Sequence, residues 1–359
     1  MGVVVLTAFL VAVLLPAGLQ AQAEKSVPAV FLRKLDPPGT NNGLLRPQQV
    51  FIDQRFNEVF IVDTGNNRVA VFDTSGVFKF QFSGRDEFGS PTDLVVDSHG
   101  FIYVVGTQRQ RAGSVFKFDY DGTLMGRLEL IDFADSDTFD VRYIAIDSQD
   151  ILYLMSGAFD RIVKIDAEGK YQGEFPLVTD MTEKERQEVV MGSPRIDGEL
   201  LYLPVSMFGV VYVYDLSGTL VRRIGLRGNN IGELNFPTAV DVIDHALVLV
   251  LDKHRFNVVC FTTAGQFLGE FGGMGNTLGW FYHPERMAVD NLGRIYVSQI
   301  FLNRVQVCEL PEFIAEQVKS FAKPTSSATL KPWKREAQKE EVSLEFTTPL
   351  LNSRSFVSD

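Results

Sequence analysis

Along the chain, apolar and polar positions group in short runs with β-like rather than helical spacing. One run recurs as Val69-Ala-Val-Phe72, Val115-Phe-Lys-Phe118, Ile162-Val-Lys-Ile165, Val211-Tyr-Val-Tyr214, Val258-Val-Cys-Phe261 and Val305-Gln-Val-Cys308, at intervals of 46 to 49 residues. In the first four copies an Asp follows at once and a Gly three residues later: Asp73/Gly76, Asp119/Gly122, Asp166/Gly169 and Asp215/Gly218. Thr262/Gly265 is a relaxed fifth copy. Asp opens a turn and Gly takes its positive-φ position, so each run ends in a hairpin. Two strand-like segments precede each run and, in the first five copies, one follows it, which makes four short strands per repeat.

A four-stranded antiparallel unit at this period predicts an all-β, six-bladed β-propeller, because such a sheet must bury both faces against like neighbours. The sixth repeat stops at Leu310-Pro311 without a fourth strand, while Val30-Phe-Leu-Arg-Lys-Leu35 resembles Thr219-Leu-Val-Arg-Arg-Ile224. Residues 29–36 are therefore expected to complete the last blade and close the ring, which removes two exposed edges at once.

Asp63-Thr-Gly-Asn-Asn-Arg-Val69, preceded by Pro47-Gln-Gln-Val-Phe-Ile-Asp53, resembles the central pattern of the NHL-repeat propeller family. Blade six repeats it as Pro284-Glu-Arg-Met-Ala-Val-Asp290 and Asn303-Arg-Val305, while blades two, three and four lack the full Asn-x-Arg pattern. The resemblance covers about residues 28 to 310. It implies the fold and, for an exported bacterial-type member, a binding scaffold; one propeller hosts many activities.

Gly2 to Leu19 is almost wholly apolar and leads into Ala21-Gln22-Ala23, a pattern that a signal peptidase reads. Residues 1–23 are read as a signal peptide, 24–310 as the propeller, and 311–359 as a short helix with a flexible tail. The location expected is periplasmic or secreted, or membrane-anchored if the apolar segment stays uncleaved. The formal charge of −11 lies entirely outside that segment and repels phosphate backbones, so nucleic acid is not the expected partner. Cys260 and Cys308 are too few for a disulfide scaffold, and their offset by one residue from register points them to opposite sheet faces.

The repeat also sorts loop residues by face. Arg46, Arg68, Arg109, Arg111, Arg142, Arg161, Arg195, Arg255, Arg286 and Arg304 fall where the chain enters a blade or in its middle loop; Asp97, Asp119, Asp147, Asp166 and Asp215 fall on the other face. Guanidinium groups gathered on one face suit carboxylates or phosphates. Arg142, Arg195 and Arg286, read as equivalent positions at strand starts, are the first ligand-binding candidates, with Arg46, Asp93 and Glu285 beside them. Arg68 and Arg304 are read as structural.

Six-bladed amidating lyases and calcium-dependent lactonases share this fold and set the alternative reading, a metal-dependent hydrolase or lyase at the channel mouth. His254 and His283 are its candidate ligands, with Asp93 or Glu285; His99 and His245 fall on the opposite face, and zinc catalysis takes three protein ligands. No nucleophile elbow or phosphate loop is present, and no cofactor is expected. The reading is an exported scaffold that holds a protein, peptide or anionic small molecule on its Arg-bearing face. Protein recovered from the extracytoplasmic fraction should begin at Glu24 on N-terminal sequencing; retention of residues 1–23 in a membrane pellet would make the segment an anchor.

Overall fold

The computed structural model describes residues 27–39, 43–83, 89–107, 113–177 and 181–321. The expected signal peptide, Arg109, Arg111 and the tail beyond Phe321 lie outside the described residues.

The chain starts with β1 (Val30–Leu35). Blade one follows as β2 (Pro47–Asp53), β3 (Glu58–Asp63), β4 (Arg68–Asp73) and β5 (Phe78–Phe82); blade two as β6 (Ser90–Val96), β7 (Ile102–Thr107), β8 (Ser114–Phe118) and β9 (Leu124–Arg127). Blade three comprises β10 (Val141–Ile146), β11 (Leu152–Ser156), β12 (Arg161–Ile165) and β13 (Tyr171–Pro176), and is followed by the short helix α1 (Glu183–Glu188). Blade four is β14 (Arg195–Asp197), β15 (Leu200–Val205), β16 (Val210–Asp215) and β17 (Leu220–Ile224); blade five is β18 (Pro237–Ile243), β19 (Leu247–Asp252), β20 (Asn257–Thr262) and β21 (Phe267–Gly272). Blade six takes β22 (Pro284–Val289), β23 (Arg294–Gln299) and β24 (Arg304–Glu309) from the end of the ring, before helix α2 (Glu312–Phe321).

Each blade is a four-stranded antiparallel sheet, and the sixth has the order β1-β24-β23-β22. β1 runs antiparallel to β24, from Val30 opposite Glu309 to Leu35 opposite Val305. The N-terminal strand thus closes the ring, as the unfinished sixth repeat suggested. The innermost strands touch in turn around the axis, β2 with β6, β6 with β10, and on through β14, β18 and β22 back to β2. The molecule is a six-bladed β-propeller.

Its apolar core is divided among six blade interfaces. Val62, Val71 and Phe82 of blade one meet Leu94, Val104 and Phe118 of blade two. At the closure, Leu35, Tyr296 and Val305 meet Val50, Ile61 and Phe72. Cys260 and Cys308 are free, buried thiols within one such interface, between blades five and six. Their one-residue offset does place them on opposite faces of their sheets, and because adjacent blades stack, those are the two faces that meet.

Turns are pinned by carboxylates. Asp215 Oδ1 accepts from the backbone N–H of Ser217 (3.0 Å) and Thr219 (2.8 Å), and Asp166 does the same for Glu168 and Lys170. On the face opposite the blade entries Asp97, Asp147 and Asp290 each cap the first hairpin and also accept from a buried tyrosine, Tyr103, Tyr153 and Tyr296, at 3.0 Å. The acidic residues of that face are in good part turn caps. Helix α1 carries the Thr182/Glu185 capping box. Helix α2 lays Phe313 and Ile314 on β21 at Gly269, where any side chain would collide with them.

Gly218 and Gly265 separate backbone strain from packing. Both hold φ near +90°, but a Cβ on Gly218 would meet Phe175 at 2.3 Å, whereas on Gly265 its nearest neighbour is 3.8 Å away. Gly265→Ala should cost about 1–2 kcal/mol of left-handed strain, and Gly218→Ala clearly more. Urea unfolding of the two variants compares them; equal losses would mean that the blade interface yields at no cost.

Candidate functional site

Here the upper face is the one on which the chain enters each blade and on which the middle loops lie. From it the six inner strands descend around the axis, and strand register makes Gln49, Asp93, Tyr143, Ser193, Ala239 and Arg286 equivalent. Side chains two residues apart share a face, so Phe51, Val95, Ala145, Arg195, Asp241 and Ala288 form the next level down. The first level is closed. Asp93, 1% exposed, accepts from Gln49 Nε2 at 2.6 Å, from the N–H of Leu94 at 2.9 Å and of Ile144 at 3.2 Å, and lies 3.4 Å from Ser193 Oγ. The Arg286 guanidinium lies 5.0 Å from the Tyr143 ring centre, reaching from blade six to blade three across the axis. A buried cation on an aromatic face gains from the ring quadrupole, and here the guanidinium also reaches the Glu285 carboxylate at 3.4 Å.

Burial pushes the Asp93 carboxyl up to about 6, against the pull of the Arg286 charge and of its hydrogen-bond donors. In the second level Asp241 is raised as well, by burial first, with the Arg195 charge and the N–H groups of Val242 and Val289 opposing. Arg195 Nε lies 2.9 Å from Asp241 Oδ1 but its N–H makes no hydrogen bond, so the contact is an ion pair of charge alone.

Arg142, Arg195 and Arg286 are therefore not equivalent, as their sequence positions suggested. A bulge separates Val141 from Tyr143, and Arg142 is the residue in it. Arg286 is register-equivalent to the next residue along the strand, and Arg195 lies two further on. Arg286 is buried and Arg195 partly buried, both within the channel, while Arg142 is exposed at the mouth, 6.0 Å from the Tyr143 ring. Arg46 is also exposed, and its backbone N–H donates to Asn303 Oδ1. Among the described residues neither Arg46 nor Arg142 has a carboxylate partner. Four further arginines that the sequence placed on this face are used internally: Arg68 by Asp63 (2.7 Å) and Gln81, Arg255 by both Glu270 oxygens, Arg161 by Asp135, and Arg304 by the carbonyls of Asn276, Thr277 and Trp280. Glu285 is held by Lys253 Nζ at 2.6 Å.

The two candidate histidines are occupied by rings. His283 sits edge-on to Tyr282 (4.7 Å), Phe301 (5.0 Å) and Phe256 (5.5 Å), and exposed His254 stacks on Phe236 at 4.4 Å. Asp93 is enclosed in the channel and Glu285 is paired, so the mixed metal set drawn from the sequence is dispersed. Among the described residues no three His, Cys, Asp or Glu side chains gather as a metal site.

The aromatic residues of the mouth were not singled out in the sequence. Phe159, Phe256 and His283 all hold left-handed φ, at 54°, 59° and 44°. Bulky side chains rarely accept that backbone, and such strain concentrates at functional sites. Phe256 stands where the middle loops of blades one, four and six place Asn67, Gly209 and Asn303, the residues that turn prefers. That substitution was the available signal.

Asp93 gives a signed test. Its folded pKa of about 6 exceeds its ordinary 3.8, so the native state binds the proton more tightly, and this residue's contribution to stability falls as pH rises from 4 to 6. Two units correspond to about 3 kcal/mol. The Asp93→Asn variant should gain on wild type across that window and hold a constant offset above it, in urea melts at stepped pH; a flat difference would mean an ordinary carboxylate.

No family model matches the sequence, and no curated protein matches it. Solved structures do. The virginiamycin B lyase of Staphylococcus aureus, a catalytically inactive variant with quinupristin, aligns with TM-score 0.52 and 13% identity over 77% of this chain and 83% of its own. A streptogramin B lyase gives 0.52 and 14% over 79% and 98%. An auxiliary nutrient binding protein from Bacteroides ovatus gives 0.59 and 16% over 80% and 78%. At these identities the likeness establishes the propeller fold.

Proposed function

We propose that this chain is an exported, NHL-type propeller that works as a binding module, seating a ligand with an anionic group and a flat ring over the upper channel mouth. The observation that carries this reading is the pair of exposed guanidiniums, Arg46 and Arg142, left without carboxylates at the entries to blades one and three, while Arg68, Arg161, Arg255 and Arg304 of the same face are engaged by the protein. On the same face, Phe159, Phe256, His283 and Phe301 offer ring surface, with Phe301 63% exposed. An anion recognised by guanidinium and a ring stacked on aromatics are complementary demands on one ligand. The described role of the Bacteroides ovatus neighbour is in keeping with binding. The lyases keep the alternative open, a metal-dependent hydrolase or lyase at the same mouth.

A thermal-shift panel of aryl and sugar carboxylates should contain ligands that raise the melting temperature. Arg142→Glu should weaken them tenfold or more, about 1.4 kcal/mol, with no loss of unliganded stability. Unchanged affinity in Arg142→Glu would overturn the site, and turnover of a hit in the presence of added zinc or calcium would replace binding with catalysis.

A further inference from the structure

Each innermost strand is the free edge of its sheet, so half of its backbone N–H and C=O groups face the channel rather than a partner strand. Side-chain hydrogen bonds reveal which ones. The N–H groups of Val50, Leu94 and Ile144 donate to Gln49 or Asp93 at the upper level. Two residues on, those of Val242 and Val289 donate to the two oxygens of Asp241, at 2.9 and 2.8 Å.

Register places Ile52, Val96, Ile146 and Ile196 level with Val242 and Val289. The two-residue period points their N–H groups the same way, and among the described residues no acceptor receives them. The six inner strands run in one direction around the axis, so this level is a ring of six donors. The protein's own carboxylate, Asp241, serves two of them. Ile52, Ile146 and Ile196 line a cavity of about 50 Å³, with Arg195 at its side and Arg286 above. Ala145 and Ala288, on facing blades, leave the space open. That volume suits a monatomic ion with a water or two, and is far below what a metabolite needs.

We propose that this cavity is a binding site for a small monovalent anion of chloride size, held by the N–H groups of Ile52, Ile146 and Ile196 and by the Arg195 guanidinium. The anion completes a donor ring that Asp241 fills on one side only. The site lies below the plug formed by Asp93, Tyr143 and Arg286 and uses neither exposed arginine of the mouth, so it stands or falls apart from the ligand proposed there.

Bromide replaces chloride and scatters anomalously. Crystals of the full chain grown in bromide should show an anomalous peak on the axis within hydrogen-bond reach of the Ile146 and Ile196 nitrogens. In calorimetry at fixed ionic strength, chloride in place of gluconate should raise the melting temperature saturably, by about 2 °C or more. Arg195→Gln should abolish the rise, as should Ala288→Val, which fills the cavity and leaves every charge in place. Water alone at that position would overturn the proposal. So would equal melting in the two salts, a rise that survives both substitutions, or bromide bound at crystal concentration with no effect on melting, which would make it an adventitious ion only.

Discussion

Every blade has two apolar faces, and neither is dry until the next blade is in place. This constraint governs the molecule. Val62, Val71 and Phe82 have no shelter within blade one; they acquire it from Leu94, Val104 and Phe118 of blade two. The same dependence passes around the ring until Leu35 on β1 and Val305 on β24 complete the interface with blade one. Hydrophobic burial is non-directional and scales with area, yet here it dictates a closed circle, because any open arrangement leaves two faces wet.

Closure has a cost at the centre. Six sheet edges point at one axis, and backbone groups left there must find partners or water. Asp93, Asp241 and Gln49 supply acceptors for five of these N–H groups, and burial raises both carboxyls as a result. Arg195 and Arg286 then balance the carboxylates. The charged residues of the channel follow from the geometry of the fold, and they need not be the residues that meet a ligand.

This explains what the sequence made legible and what it hid. The spacing of Val69, Val115, Ile162, Val211, Val258 and Val305 reports strands whose burial is set locally, so blade number, turns and the closing strand could be read directly. The repeat also located Asp73, Asp166 and Asp215, whose backbone N–H partners lie within four residues. Depth along the axis could not be read. The bulge at Arg142 and the short β14 shift Arg142, Arg286 and Arg195 to three heights, and only strand pairing fixes that register. Exposure was equally hidden: Arg46 and Arg142 differ from Arg68 and Arg255 by the presence of a carboxylate brought from a distant part of the chain or a neighbouring strand. The rings around His283 come from two middle loops and one loop between blades, a convergence that periodicity does not express.

The pairing of β1 with β24 bears on how the chain matures. β1 is made before every other strand of the ring, and its partner strand follows about 270 residues later in the sequence. Until β24 emerges, β1 has no mate, and the blade-one face that Leu35 helps to cover stays unsealed. Blades one to five can assemble in order as they are synthesised, but the circle is locked in a single late event that joins the two ends of the domain. A nascent or truncated chain is therefore an open arc with an adhesive face at each end, and a clasped ring exists only when the full span from β1 to β24 is present.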